Sequence, residues 1–357
     1  MVCDIIAVVQ RCPLPRGRPG ASQRVPLRLF LKLFLLLSLV FAVLIGMFVR
    51  WASTPLPLRN STVEFRIASG SSLRSAVAQM QEAGIAVNPD LLALLARWRG
   101  VASGIKAGSY SISHELTPEE LLIKLVRGDV TQGEMVLVDG QTFRQWRVRL
   151  DQNPDLTHET QGLDEAEIAL KLGIEGGNIE GWLFPDTYLF DKHSSDLELI
   201  ARAHRAMGKR LDLAWAGRAA DLPYRNPYEA LIMASIIEKE TGRNDDRAQI
   251  AAVFVNRLRK GMPLQTDPTV IYGLAEKFDG NLRKRDLQTD TPYNTYTRTG
   301  LPPSPIAMPS MAALQAALHP ASSDAFYFVA RGDGSSQFSR TLDEHNRAVN
   351  KYQRGNK

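Results

Sequence analysis

Beyond Cys12 the chain has no cysteine: its only two, Cys3 and Cys12, stand among the first twelve of 357 residues. That excludes a disulfide framework, a C-x-x-C redox or metal motif and a cysteine nucleophile in the body of the protein. No G-x-S-x-G is present, so a serine hydrolase of the nucleophile-elbow type is unsupported. The six histidines show neither H-E-x-x-H nor any paired ligand spacing, and no metal or other cofactor is expected. No internal repeat or low-complexity tract interrupts the chain. Its core must therefore hold it without cross-links.

A basic face is also missing, although the formal net charge is +5. Seven of the 43 Lys/Arg and one of the 38 Asp/Glu fall within residues 1–50, which leaves 36 against 37, a net charge of −1, over 51–357. The positive excess surrounds an apolar segment and forms no surface for a duplex, so no nucleic-acid partner is expected.

That segment is Leu33–Val49, LFLLLSLVFAVLIGMFV, bounded by Lys32 and Arg50. Its 17 uncharged residues span about 26 Å as a helix, close to the thickness of a hydrocarbon core. Arg11, Arg16, Arg18, Arg24, Arg28 and Lys32 precede it and only Arg50 closely follows. The positive-inside rule then gives a cytosolic basic tail (1–32), a single-pass anchor (33–50) in the inner, cytoplasmic membrane, and an extracytoplasmic remainder. Both cysteines would be cytosolic thiols. A cleaved signal peptide is the alternative, but the run is longer than an h-region and no A-x-A site follows.

After the anchor, a Pro/Ser/Asn linker (51–60) reads as a spacer that lifts a domain off the membrane. Residues 61–132 follow as a small module. Val63, Phe65 and Ile67 alternate as a strand. Ser71 or Ser72 caps a helix that Gly84 stops, and Leu91–Trp98 gives a second helix. Residues 105–113 read as a second strand. Residues 117–128 form a helix with Thr117 and Glu120 as a capping box, Pro118 at its first position and Gly128 as its stop. A larger region, 133–357, mixes both element types, so the expected class is α+β. Within it, residues 151–178 read as acidic and helical. Helices are expected over 196–220, 228–241, 245–260 and 310–318, and a hairpin over 325–339 turns at Arg331–Gly334. Pro185 and Asp186 forbid a helix through the aromatic stretch 179–190.

The stretch MASIIEKETG (233–242) places two carboxylates at the end of an apolar helix. With Leu231 at zero and about 100° per residue, Glu240 falls at about 180°, amid Ile236 (about 140°), Met233 (about 200°) and Ile237 (about 240°). Glu238 falls at about 340°, away from that stripe, where it pairs with a neighbour or faces solvent. Burial penalises the charged form of a carboxyl, and a glutamate kept protonated is a usable general acid. A glutamate locked to an arginine or to backbone donors is the plain alternative. Thr241 is placed to orient the acid. Two segments, LQTDPTVIYG (264–273) and YNTYTRTGLPPS (293–304), read as rigid Pro/Gly loops presenting Gln, Thr, Asn, Asp and Tyr. That mixture suits sugars, and turn chemistry alone also accounts for it.

Taken together, EGWLFPDTY, MASIIEKET, AAVFVNRLRKGMPLQTDPTVIYG, YNTYTRTGLPPSPIAMPS, ALHPA and FYFVARGDGSSQFSRTLDEHNRAV resemble the endolytic murein transglycosylases, the MltG-like or YceG-like family. The resemblance is closest over 179–350. More weakly, SGSSLRSAVAQMQEAGI and IKAGSYSI resemble the family's LysM-like module. The resemblance implies that Glu240 is the catalytic acid/base. It also implies a carbon–oxygen lyase that cuts the β-1,4 bond between N-acetylmuramic acid and N-acetylglucosamine inside glycan strands, leaves 1,6-anhydro ends and stops strand extension near the peptidoglycan synthases. Thr241, Asn256, Gln265, Asp267, Tyr293, Asn294 and Tyr296 are the candidates for the substrate groove. Glycan strands, the cytoplasmic membrane and the synthases are the implied partners. Two rival readings are an anchored peptidoglycan-binding scaffold without catalysis, and a muramidase with Asp186 or Asp267 as a second carboxylate.

Overall fold

A computed structural model describes residues 27–58 and 60–355. Cys3, Cys12 and the tail up to residue 26 lie outside the described residues, so the expectations placed on them are not addressed. The fold is mixed α+β, opened by one long apolar helix.

That helix, α1 (Leu27–Ala52), is exposed along its apolar length, and Phe30–Ala52 is long and apolar enough to cross a membrane. It outruns the expected 33–50 at both ends. Ser53 Oγ and Thr54 Oγ1 donate to the carbonyls of Val49 and Arg50, which closes its last turn.

The next residues are not a free spacer. Ala52 and Leu56 are buried in the core of the first folded unit, Leu56 N–H donates to Leu116 O (2.9 Å), and Leu58 bridges to Ile85. The apolar side chains between the prolines find a surface to cover, and this overrides the linker-like composition of 51–60. The unit itself follows the expected order: β1 (Val63–Ile67), α2 (Leu73–Glu82), α3 (Pro89–Trp98), β2 (Gly108–Ile112) and α4 (Pro118–Arg127). Strands β1 and β2 pair antiparallel, with Phe65 opposite Tyr110, and the two rings stack 5.5 Å apart. Ser72 caps α2, and the Thr117/Glu120 capping box opens α4.

A second cluster gathers β3 (Gln132–Leu137), α5 (Phe143–Asp151), α6 (Glu165–Lys171) and β5 (Asp186–Asp191) against the first half of α7 (Asp196–Ala216). A short parallel pair, Leu156–Thr157 with Ser194–Ser195 (β4 and β6), precedes α7. Strand β5 starts at Asp186, directly after Pro185, and lies antiparallel to β3. The stretch 151–178 is helical only over the seven residues of α6 and one 3-10 turn, because Gly162, Gly173, Gly176 and Gly177 take left-handed backbone.

The third cluster is built on α8 (Pro227–Glu240), enclosed by the second half of α7, by α9 (Asn244–Arg259) and by the later α12 (Met311–Leu318). Every residue of α8 from Glu229 to Ile237 is buried. The one-sided stripe expected from the wheel is therefore a helix enclosed on all sides, the pattern of a core helix. Between α9 and α12 come α10 (Asp267–Leu274) and α11 (Lys284–Gln288). Segment 264–273, expected as a loop, is thus mostly helix. Pro268 sits in its first turn, where a missing N–H costs nothing. Segment 293–304 is irregular, as expected. The chain closes with the hairpin β7 (Tyr327–Ala330) and β8 (Ser336–Ser339), then α13 (Leu342–Val349).

Candidate active site

The burial of Leu231, Met233, Ile236 and Ile237 fixes the last turn of α8. Each such side chain contributes about 1.5–3 kcal/mol on leaving water, enough to hold that turn while its final residue, Glu240, reaches into a cleft. The cleft measures about 610 Å³, and its lining includes Glu240, Gln265, Asp267, Tyr296, Tyr327 and His345.

Thr266 donates its hydroxyl to Glu240 Oε1. Thr266 is buried and tied in turn to Thr295: its N–H donates to Thr295 Oγ1 at 3.1 Å, and Thr269 Oγ1 lies 2.9 Å from the same hydroxyl. The residue before it, Gln265, has φ +52, left-handed backbone unusual for a side chain of its size, and its N–H donates to Thr295 O (3.1 Å). This turn brings Gln265 to the cleft and sets the buried Thr266 against Glu240. Burial pushes the Glu240 carboxyl up from its ordinary value. The Asp267 charge adds to that, while the Thr266 hydrogen bond and Arg257 oppose it.

Asp267 opens α10 and accepts the phenol of Tyr296 (2.6 Å). Gly273 lets α10 approach the loop that carries Tyr296, since a Cβ there would meet Thr291 Oγ1 at 2.8 Å and Tyr293 Cβ at 3.1 Å. Beneath the cleft, Arg257 is only 7% exposed. Its guanidinium donates to Phe326 O (2.7 Å) and Leu264 O (2.8 Å), and reaches Gln265 Oε1 at 3.4 Å. Arg257 therefore ties the Gln265 turn to the start of β7. The lining also holds the stacked pair Tyr327 and His345, with ring centroids 5.3 Å apart. Burial, then Arg257, lowers the His345 pKa from its ordinary value.

Four of the eight residues expected at the site meet in the cleft: Glu240, Gln265, Asp267 and Tyr296. The other four sit in supporting contacts. Thr241 accepts Arg243 N–H at 3.0 Å, and the hydroxyl on the acid comes from Thr266 instead. Asn256 donates to the carbonyls of Ser323 and Ala325 (2.9 and 3.0 Å), which anchors the approach to β7. Tyr293 packs edge-on to Tyr272 and shares a 2.7 Å hydrogen bond with Ser304. Asn294 is fully buried and donates to Asp286, Leu287 and Thr289 carbonyls, which ties its loop to the end of α11. Asp186, the other carboxylate considered for a hydrolase, stands at the start of β5 near Arg210 (3.6 Å) and does not line the cleft.

Glu238 is a different kind of carboxylate. Its side chain is 7% exposed, its Oε2 accepts Ser310 N–H (2.9 Å) and the Ser310 hydroxyl, and Arg247 lies 3.6 Å from Oε1. It fastens the N-terminus of α12 to α8. Sequence reasoning missed Thr266, Arg257, Tyr327 and His345. It also missed Glu180, which lies in the second cluster under α10. Glu180 accepts Phe143 N–H (3.1 Å) and the Tyr272 hydroxyl (3.2 Å), and burial pushes it up to about 8.

The family model for the YceG-like family matches residues 65–351. A Bacillus subtilis protein named endolytic murein transglycosylase is 35% identical over 315 residues, covering 82% of this chain and 85% of that protein. A Streptococcus pneumoniae protein of the same name is 27% identical over 317 residues, and the match covers 79% of this chain but only 57% of the streptococcal one. A crystal structure of a YceG-like protein from Listeria monocytogenes superposes with a TM-score of 0.49 at 28% identity, covering 80% of this chain and 98% of that one. On the extent of the family match and the identity to the Bacillus protein, the chain belongs to the YceG-like family.

Proposed function

We propose that the protein is a membrane-anchored endolytic lytic transglycosylase that cuts the β-1,4 bond between N-acetylmuramic acid and N-acetylglucosamine and leaves 1,6-anhydro ends. The observation that carries this reading is Glu240: a largely buried carboxyl of raised pKa, hydrogen-bonded by Thr266, in the lining of a cleft that also holds Tyr296 and Tyr327. The names of the relatives supply the substrate class, murein.

The chemistry needs one proton carrier. Glu240, protonated, gives its proton to the glycosidic oxygen as the bond to C1 of the muramyl residue breaks. The resulting carboxylate then takes the proton of the muramyl 6-hydroxyl as O6 bonds to C1. The bond electrons leave with the N-acetylglucosamine oxygen and no water is consumed. Thr266 holds the carboxyl in place, and the ring faces of Tyr296 and Tyr327 suit pyranose rings. Helix α1 anchors the enzyme in the cytoplasmic membrane with its N-terminus cytosolic. The LysM-like unit over 61–132 grips glycan, residues 133–357 catalyse, and internal cleavage near the synthases ends strand extension.

Asp267 favours a second reading. It lines the same cleft as Glu240, and a muramidase would use it to activate water or as nucleophile. Digestion of purified glycan strands by the detergent-solubilised full chain separates the two. Anhydro-muramyl ends support the transglycosylase. Reducing ends support the muramidase, and no cleavage supports a binding scaffold.

A further inference from the structure

The end of α1 does not hang free of the first folded unit. Phe48 and Trp51, in its last two turns, are half-buried against that unit's core, and their rings stack 5.9 Å apart. Phe48 also meets Trp98 of α3 edge-on at 6.3 Å. Trp98 is nevertheless 64% exposed, and Leu94, one turn earlier on the same face, is 51% exposed. Leu91 extends that face by a further turn, half-buried. An outward stripe of Leu91, Leu94 and Trp98 therefore begins where the apolar surface of α1 ends. Arg97 is exposed beside Trp98 and Arg50 near the end of α1, while the Arg99 guanidinium lies 5.2 Å from the Trp98 ring centroid and is paired with Glu119.

We propose that this stripe of α3 rests in the headgroup layer of the bilayer that α1 crosses. The proposal builds on the membrane-anchor reading of α1. Three observations select a lipid surface as the occupant. The stripe is continuous, through Phe48, with an apolar helix that is exposed from Phe30 to Met47. Tryptophan, with an apolar body and one N–H, is the residue suited to the membrane–water boundary. Arg50 and Arg97 can extend to anionic headgroups while their stems cover apolar surface. With Leu56 held in the core and Leu58 bridged to Ile85, no slack is left between helix and unit. The unit then lies flush on the membrane in a fixed orientation, not tethered at a distance.

The test uses the full chain in phosphatidylethanolamine/phosphatidylglycerol vesicles, with Cys3→Ser and Cys12→Ser and one new cysteine carrying an environment-sensitive fluorophore. Leu39→Cys reports on the anchor, Leu94→Cys on the stripe with Trp98 intact, and Leu213→Cys, exposed on α7, on the aqueous side. A nitroxide placed on the lipid near the headgroup should quench the label at 94 at least threefold more than the label at 213. Adding Trp98→Asp, an exposed change that leaves the core intact, should remove more than half of that quenching. A label at 94 that behaves like 213 while 39 is quenched by deep nitroxides overturns the proposal and leaves the anchor standing. Quenching at 94 that requires a second membrane protein also overturns it, in favour of a protein partner. An unquenched label at 39 overturns the anchor itself and the proposal with it.

Discussion

Thr266 donates a hydrogen bond to Glu240 from a segment 26 residues further along the chain. The acid is placed by α8, but its orientation is set by a strained turn that α9, through Arg257, and the loop at Thr295 hold from behind. Thr266→Val removes the donor and keeps the shape. A lost hydrogen bond to a reacting carboxyl costs roughly 1–1.5 kcal/mol, or about tenfold in kcat. Because that bond lowers the Glu240 pKa, its loss should also move the alkaline limb of the pH–rate profile upward. Thr266→Ser should restore both. A profile that stays in place while the rate falls would indicate a packing defect and no role at the acid.

The two glutamates of EKET should respond in opposite ways. Glu240→Gln deletes the transferable proton without creating an unpaired charge, so anhydro-muropeptide yield should fall by about 10⁴-fold or more, with thermal stability unchanged or slightly higher. Glu238→Gln leaves Arg247 without its carboxylate and weakens the Ser310 anchor of α12. Breaking a buried, hydrogen-bonded charge pair typically costs about 3–5 kcal/mol, and since the amide still accepts from Ser310, about 1–3 kcal/mol is expected. Melting curves beside product yield distinguish the pair. A stable but inactive Glu238→Gln would reverse the assignment.

The legible part of this fold was local. Capping boxes, alternation and Gly/Pro punctuation depend on neighbours within four residues, and they gave α4, β1 and the hairpin within a residue or two. The wheel put Glu240 in or at the edge of the apolar stripe, and it stands half-buried at the cleft. But the wheel could not separate the two glutamates by burial: α8 is enclosed on every face up to Ile237, and the Glu238 side chain is only 7% exposed. What could not be read was partnership across the chain. Arg257 lies in the basic run NRLRK near the end of the expected helix 245–260, and only the fold shows its guanidinium donating to the carbonyls of Leu264 and Phe326. Asn294 and Tyr296 looked equivalent in sequence, yet one ties its loop to the end of α11 and the other lines the cleft. Leu56 looked like part of a spacer because its composition gave no hint of the core waiting for it.

Asp267 and Tyr296 test the reaction type. If the substrate's own 6-hydroxyl is the nucleophile, Asp267→Asn should retain anhydro ends at a reduced rate, about 10- to 100-fold down, because it disturbs only the field around Glu240 and the Tyr296 contact. Tyr296→Phe should act mainly on KM if the ring packs on a sugar. Mass spectrometry of the released ends is the readout. Reducing ends from the unmodified enzyme, together with complete inactivity of Asp267→Asn, would identify Asp267 as the second carboxylate of a muramidase.

Glu180 should leave a mark on stability far from the chemistry. Burial holds its pKa at about 8 against an ordinary 4.5, although Phe143 N–H and the Tyr272 hydroxyl both favour the charged form. Between those two values the folded protein keeps a proton that the unfolded chain gives up. The unfolding free energy therefore falls as pH rises through that window, the reverse of a salt-bridged carboxylate. The contribution is complete below pH 4.5 and gone above about 8. At about 1.4 kcal/mol per unit the ceiling is several kcal/mol, and local relaxation should reduce it to about 2–3 kcal/mol. Glu180→Gln presents a neutral amide to the same donors at every pH. Its melting temperature should exceed that of the unmodified protein at pH 8.5, by several degrees, and match it at pH 5. Parallel melting curves for the two proteins across pH 5–8.5 would mean that Glu180 is ionised in the folded state and that Tyr272 and Phe143 outweigh its burial.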